Sequence, residues 1–219
     1  MTAAASEALT AVLVRHGETP LTPHGAYSGS GVPGPSLTET GRAQAAGAAR
    51  LVAGFGDVLY PDLAPPSAII ASPMVRTQET AAAVAGATGL SVRTDDRAAE
   101  CNFGDWEGLT PAEIDVRWPG ERQVWHTDGT IAAPGGGEST ADVGVRTAEL
   151  LADLRAEFAG QTVLVIAHAV SIRSMLGRAL LAAPGGWWRL RLAPASTSVV
   201  QVHPDGFTQV LAAGLPCGA

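Results

Sequence analysis

The chain has 219 residues, 46% of them apolar, and a net charge of −7 from 21 acidic against 14 basic side chains. That length and apolar content suit one α/β domain with a full core, and no run of 18 apolar residues offers a membrane span. All 14 basic residues are Arg, scattered rather than gathered into the basic stripe of a nucleic-acid binder.

Met1 to Leu9 has neither the basic n-region nor the apolar h-region of a secretion signal. It reads as a flexible Ala-rich leader to one domain over 10–214, and a cytoplasmic protein is the simplest expectation. Ala11 to Val14 is a short buried strand ending at Arg15-His16-Gly17-Glu18-Thr19. Pro20 to Pro35 holds four Pro and four Gly, a loop long enough to suggest a role of its own. Ser36 with Glu39 fits a capping box, and the helix behind it runs to about Ala53. Ala68 to Ala71 is a second strand. Ser72-Pro73 then opens a helix from Pro73 to about Thr88.

Leu90 to Arg93 is a third strand. Thr110-Pro111-Ala112-Glu113 is another capping box, and Ser139 with Asp142 caps a long helix reaching about Phe158. Thr162 to Ala167 is the strongest strand, ending at His168 before a helix over Ser171 to Leu181. Ser198–Val202, the turn Pro204-Asp205-Gly206 and Phe207–Leu211 form an edge hairpin. That hairpin is available either to a homodimer or to cover by the chain itself. Strands alternating with helices predict a three-layer α/β sandwich with a mostly parallel central sheet. About Cys101 to Gly137, rich in Gly, Pro and Trp, reads as an insertion covering the site.

In such sheets ligands bind beyond the carboxyl ends of the strands. The first strand delivers Arg15 and His16, the second Arg76 one helical turn later, and the fourth His168. Arg offers a planar fork of donors for phosphate oxygens, and His serves as nucleophile or proton donor near neutral pH. Each residue alone has a plain structural reading. Arg15-His16 could simply close a strand, His168 could be a satisfied core histidine, and Arg76 could sit on a solvated helix face. Cys101 and Cys217 are too few for a disulfide framework, and the five histidines show no metal-ligand spacing.

Six ordered motifs, spanning about Val12 to Val210, resemble the histidine phosphatase (phosphoglycerate mutase-like) superfamily. They are Arg15-His16-Gly17-Glu18-Thr19, the run from Ser36 to Ala45, Ala71 to Ala81, Glu100 to Gly108, Pro134 to Ser139, and Val163 to Arg173. The resemblance implies a phosphatase acting on a small phosphorylated metabolite without cofactor or metal, and without nucleic-acid or membrane partners. It implies that His16 becomes the phosphohistidine and that Glu100 is the proton donor. It implies that His168, Arg15 and Arg76 hold the phosphoryl group, with Thr22 and the Ala169 amide alongside. Where many members carry a loop Arg before the Tyr27-Ser28-Gly29 triplet, this chain has Ala26, and Ala169-Val170 replace the usual Gly-Gly after the second His. The loop from Tyr27 and the tail from His168 resemble actinobacterial acid phosphatase and α-ribazole phosphatase domains. Trp106 to Thr110 with Pro119-Gly120-Glu121 resembles glucosyl-3-phosphoglycerate phosphatases. A cofactor-dependent mutase and an inactive phospho-ligand-binding or scaffold member are the competing readings; the short, Lys-free chain disfavours the first, and the intact core of His16, His168, Arg15, Arg76 and Glu100 disfavours the second.

Overall fold

A strand covered on both faces has to be apolar at nearly every position, and β1 (Leu9–Arg15) is buried along almost its whole length. Its alternating side chains feed two separate cores. Leu9, Ala11 and Leu13 face one apolar layer, while Val12 and Val14 face the other. The computed structural model describes residues 7–217. The expected leader falls outside those residues over 1–6. Its last two residues do not fit the expectation: Ala8 and Leu9 are buried and Leu9 pairs with Val202, so the ordered domain begins before residue 10.

The elements that follow are α1 (Glu39–Ala53), β2 (Pro66–Ala71), α2 (Val75–Thr88), β3 (Val92–Thr94), α3 (Pro111–Arg117) and α4 (Glu121–Thr127). Then come α5 (Thr140–Glu157), β4 (Thr162–Ala167), α6 (Ala169–Ala179), β5 (Thr197–Val202) and β6 (Thr208–Leu215). Six strands form one sheet in the order β3-β2-β4-β1-β5-β6. The pairs among β1 to β4 are parallel, and β5 and β6 add an antiparallel edge. Ala48, Val52, Ala81 and Val84 of α1 and α2 pack on one face. Leu150, Leu154, Ile172 and Leu176 of α5 and α6 pack on the other. This is the three-layer α/β architecture expected from the alternation of strands and helices.

Several boundaries move for local reasons. Thr38, not Ser36, caps α1, accepting from the Gly41 N–H. Helix α2 starts at Val75 behind Met74, which offers no side-chain cap; the Ser72 hydroxyl accepts from the Met74 N–H at 3.4 Å, ahead of the helix. Helix α6 starts at Ala169, directly behind His168, two residues before the expected Ser171. Strand β3 is shifted to Val92–Thr94. The capping boxes at Thr110 and Ser139 are both formed. The segment read as an insertion contains α3 and the unexpected α4, and it builds its own core. Cys101, Phe103, Trp106, Ile114 and Trp125 cluster there with Val143 of α5 and Val170 of α6.

Candidate active site

Parallel pairing sets the strand ends level. Arg15 lies opposite Ala167, and Ala71 opposite Ile166. Just beyond, the His16 N–H donates to the Ala167 carbonyl at 3.1 Å and the Ser72 N–H to Ile166 at 3.0 Å. The backbone thereby brings Arg15, His16, Ser72 and His168 to one edge of the sheet.

His16 Nδ1 lies 2.7 Å from the Gly17 carbonyl. That oxygen only accepts, so Nδ1 carries the proton and Nε2 keeps its lone pair. Burial, then the charges of Arg15 and Arg76, hold the His16 imidazole well below its usual pKa. It is therefore neutral at physiological pH. The His168 ring lies beside it, centroids 5.1 Å apart at 60°. His168 is fully buried and likewise held neutral by desolvation, Arg76, His16 and Arg15. The Ser72 hydroxyl sits 2.7 Å from His168 Nε2. When that hydroxyl donates, His168 Nδ1 bears a proton, and Nδ1 has no partner among the described residues. Sequence reading gave Ser72 to a helix cap; its main neighbour is a residue 96 positions away, which no local pattern reveals.

Arg76, in the first turn of α2, is fully buried. Its Nη2 donates to the Ser28 carbonyl at 2.8 Å and to Gly29 at 3.3 Å. Arg15 Nη1 donates to Leu192 O at 2.6 Å. Arg15 Nε and Arg76 Nε and Nη1 are buried without partners. Burial lowers both guanidinium pKa values, Arg15 to about 10, and the Glu100 charge opposes that shift. Each unsatisfied buried donor costs about 1–3 kcal/mol. Three of them here, joined by His168 Nδ1 in the tautomer that accepts from Ser72, make a cluster suited to an anion.

Two glycines permit the close approach of backbone that shapes this cavity. A Cβ on Gly17 would overlap the Gly41 carbonyl at the start of α1. Gly34 has φ +78°, and a Cβ there would overlap Arg76 Nη1.

Glu100 enters from the segment after β3 and is 5% exposed. Its Oε1 accepts from the Cys101 N–H at 3.0 Å and the Val170 N–H at 3.1 Å. Arg146 of α5, absent from the sequence reading, holds the surrounding backbone. Its guanidinium donates to the carbonyls of Arg97, Ala99 and Glu100 at 2.8, 2.8 and 2.9 Å. It also pairs with Glu138 at 2.8 Å. Glu107 accepts the Gly29 N–H with both oxygens at 2.9 Å, pinning the loop that carries the Arg76 acceptors. Desolvation pushes the Cys101 thiol pKa well up, so it packs as an inert group.

The remaining two expected phosphate contacts differ in kind. The Thr22 hydroxyl accepts from the Thr19 N–H at 3.0 Å and lies 3.1 Å from Thr19 Oγ1. It therefore ties down the loop after β1. Ala169 is the first residue of α6, where an amide has no carbonyl one turn earlier to accept it. Among the described residues, no group of three or more His, Cys, Asp or Glu side chains is placed to hold a metal. No helix among them is long and apolar enough to cross a membrane.

The family model "Histidine phosphatase superfamily (branch 1)" matches residues 11–213. A bifunctional protein of Mycobacterium tuberculosis is 38% identical over 199 residues, which is 91% of this chain and 52% of that protein. The chain thus spans about half the length of the first curated relatives it matches. A glucosyl-3-phosphoglycerate phosphatase of the same organism is 38% identical over 81% of this chain and 77% of its own length. The structure of a mycobacterial glucosyl-3-phosphoglycerate phosphatase with VO3 superimposes with TM-score 0.81 at 31% identity, covering 94% of this chain and 98% of that one.

Proposed function

The chain belongs to the histidine phosphatase superfamily, and from that premise we propose that it hydrolyses a small phosphate monoester through a phosphohistidine on His16. The observation that carries the reading is the cluster of buried, unpartnered donors on Arg15, Arg76 and His168 beside the free Nε2 of a neutral His16. A dianionic phosphoryl group satisfies those donors and faces that lone pair. The whole unit from Leu9 to Leu215 is read as one catalytic domain, with 101–137 as its cover.

In the first step His16 Nε2 attacks phosphorus and the P–O bond to the alcohol breaks. Charge builds on the equatorial oxygens, and in this reading Arg15, Arg76, the His168 Nδ1–H of the tautomer that accepts from Ser72, and the Ala169 amide stabilise it. The leaving oxygen takes a proton from Glu100. Oε1 accepts the Cys101 and Val170 amides at 3.0 and 3.1 Å, while Oε2 only shares the Val170 amide at 3.3 Å, so Oε2 is the oxygen assigned the proton. A positioned acid of this kind is worth about 10²–10⁴-fold on a poor alkoxide leaving group. In the second step water attacks the phosphohistidine, the N–P bond breaks, and Glu100 accepts the water proton. Free phosphate leaves and both side chains return to their starting state.

The glucosyl-3-phosphoglycerate phosphatases among the relatives suggest phosphorylated three-carbon acids and their sugar conjugates as first substrates to assay. The test compares wild type with His16→Ala on p-nitrophenyl phosphate from pH 5 to 8, with acid-labile phosphate trapped on the protein by rapid quench. Turnover and label in wild type, and neither in the variant, are expected. Retained turnover in His16→Ala refutes the mechanism, and absence of phosphate release from any ester in wild type refutes the activity.

A further inference from the structure

The run from Ser36 to Ala45 is a motif that the phosphoryl chemistry leaves without a role, and its last polar residue is Gln44, in the second turn of α1. Residues three apart share a helix face, so Thr38, Gly41 and Gln44 form one row along the start of α1. All three meet the same two residues, Gly17 and Glu18, directly after the nucleophile. The Thr38 N–H donates to the Glu18 carbonyl at 3.0 Å, and the Thr38 hydroxyl to Glu18 Oε1 at 2.9 Å. At Gly41 the two backbones are in close contact: a Cβ on Gly17 would overlap the Gly41 carbonyl, and a Cβ on Gly41 the Glu18 carbonyl. One turn further on, Gln44 Oε1 accepts the Glu18 N–H at 2.8 Å. A backbone N–H only donates, so this bond itself fixes which end of the Gln44 amide faces Glu18.

That bond acts on His16 through the peptide it belongs to. A peptide unit is planar and stiff, and the Glu18 N–H shares its unit with the Gly17 carbonyl. The same carbonyl is the acceptor 2.7 Å from His16 Nδ1. Gln44 Oε1, the 17–18 peptide and the His16 imidazole are therefore consecutive links of one hydrogen-bonded chain. Successive bonds in such a chain polarise one another, by about 10–30% per bond. A Glu18 N–H engaged by Gln44 makes the Gly17 carbonyl a better acceptor, which holds the proton on Nδ1 and the lone pair on Nε2. The preceding peptide unit is held by a different helix. The Gly17 N–H donates to Thr80 Oγ1 at 3.3 Å, and that hydroxyl donates to the Arg76 carbonyl at 2.8 Å. Rotation of the 17–18 unit is thus resisted on one side by α2 and on the other by Gln44.

We propose that Gln44 is a positioning residue for the nucleophile: through the 17–18 peptide it sets the ring orientation and the Nδ1–H tautomer of His16. Its influence falls on attack by Nε2, and not on the Arg15, Arg76 and His168 donors that take up the phosphoryl oxygens. This rests on the phosphohistidine reading of the site.

The test separates attack from binding. Wild type, Gln44→Leu and Gln44→Glu are compared in the single-turnover rate at which p-nitrophenyl phosphate leaves acid-labile phosphate on the protein, and in the Ki of inorganic phosphate. Leu removes the acceptor, whereas Glu keeps an acceptor oxygen at the same reach. Gln44→Leu should form the phosphohistidine about 10–100-fold more slowly, the range expected when a reacting group is misplaced by about 1 Å. Its Ki for inorganic phosphate should stay within about 3-fold of wild type, since the donors that bind the anion are untouched. Gln44→Glu should be at least about 5-fold faster than Gln44→Leu, because a carboxylate accepts the Glu18 N–H as well as the amide does. A Gln44→Leu rate within about 2-fold of wild type would overturn the proposal. So would a parallel loss of rate and phosphate affinity, which makes Gln44 a general brace between α1 and the loop, or a Gln44→Glu variant no faster than Gln44→Leu. Labelled, active wild type alongside any of these failures leaves the phosphatase reading standing; a wild type that turns over no ester, or turns it over without acid-labile phosphate, overturns both.

Discussion

Replacing Arg146 by Met tests whether Glu100 is placed by the fold or merely located near the cavity. The side chain lies outside the phosphate site, yet one guanidinium spans three successive parts of the segment that carries Glu100. It donates to the carbonyls of Arg97, Ala99 and Glu100 and pairs with Glu138. Glu138 in turn accepts from the Asn102 N–H at 2.8 Å. Arg146 thus anchors the chain directly before Glu100, and through Glu138 it anchors the chain directly after. Four charge-assisted contacts at about 1.5–3 kcal/mol each would set an upper bound near 6–12 kcal/mol. The Arg146 and Glu138 side chains are 18% and 25% exposed, so water replaces part of what is lost and the contacts are not additive. Met also retains the packing of the aliphatic stem. A net loss of about 2–4 kcal/mol follows, which for a chain of this size is a fall in Tm of roughly 5–15 °C. The catalytic effect is separate. If Glu100 drifts by about 1 Å, the proton transfer loses much of its advantage, and kcat on an alkyl phosphate should fall about 10–100-fold. p-Nitrophenyl phosphate has a good leaving group that needs little protonation, so its kcat should fall less. Thermal unfolding and kcat on both esters, measured well below the lowered Tm, read the two effects independently. A protein destabilised as stated but with unchanged kcat on the alkyl ester would refute the idea that Arg146 positions Glu100.

Two further outcomes follow from other parts of the site. Gly17→Ala forces a methyl group against the Gly41 carbonyl, and backbone on both sides leaves no soft neighbour to yield. The loop after His16 must shift, so kcat/KM should drop at least about 100-fold, with stability reduced by about 1–3 kcal/mol in urea titrations; near-wild-type turnover would show that the Gly17–Gly41 approach does not set His16. His126 has a folded-state pKa near 4 against 6.5 in the unfolded chain, through burial first and then Arg122 and Arg173, with Asp115 opposing. Between those values the unfolded chain binds a proton that the folded chain refuses, so the stability contributed is complete above pH 6.5 and is lost as pH falls toward 4. Urea midpoints at pH 7.5 and 5 should therefore differ less in His126→Asn than in wild type, the remainder coming from His16 and His168, whose shifts have the same sign. An unreduced difference would count against the buried, neutral His126.

What the sequence makes legible here is whatever a residue declares through its immediate neighbours. β4 was readable to the residue because six uncharged, mostly β-branched positions in a row admit few other structures, and Thr110 and Ser139 because a capping box closes within four residues. The strand ends were readable for the same reason, which is how Arg15, His16 and His168 could be placed at one edge. Misplacements arise where a side chain has a choice of partner. Ser72 satisfies the local rule for a helix cap, but a buried imidazole 96 residues away holds its hydroxyl at 2.7 Å, and α2 begins two residues later than the rule predicts. Arg146 and Arg173 look like ordinary polar positions of amphipathic helices, and only the folded chain shows that one holds the Glu100 segment and the other stacks on Trp188.

That division bears on the charge of the molecule. A net charge of −7 repels an anionic ester that comes within about a Debye length of the surface, about 8 Å at physiological ionic strength. At the site the relevant charges are few, close and desolvated, and there the sign reverses: Arg15 is half-buried and Arg76 buried, and burial lowers the pKa of each. Desolvation weakens these cations as bases but strengthens their pull on any anion that enters, because no water competes. Added salt should then screen the outer repulsion and leave the inner attraction nearly intact, so kcat/KM for a doubly charged ester should rise, or hold level, between about 20 and 150 mM salt. A steep fall over that range would mean that capture relies on exposed surface charge rather than on the buried arginines.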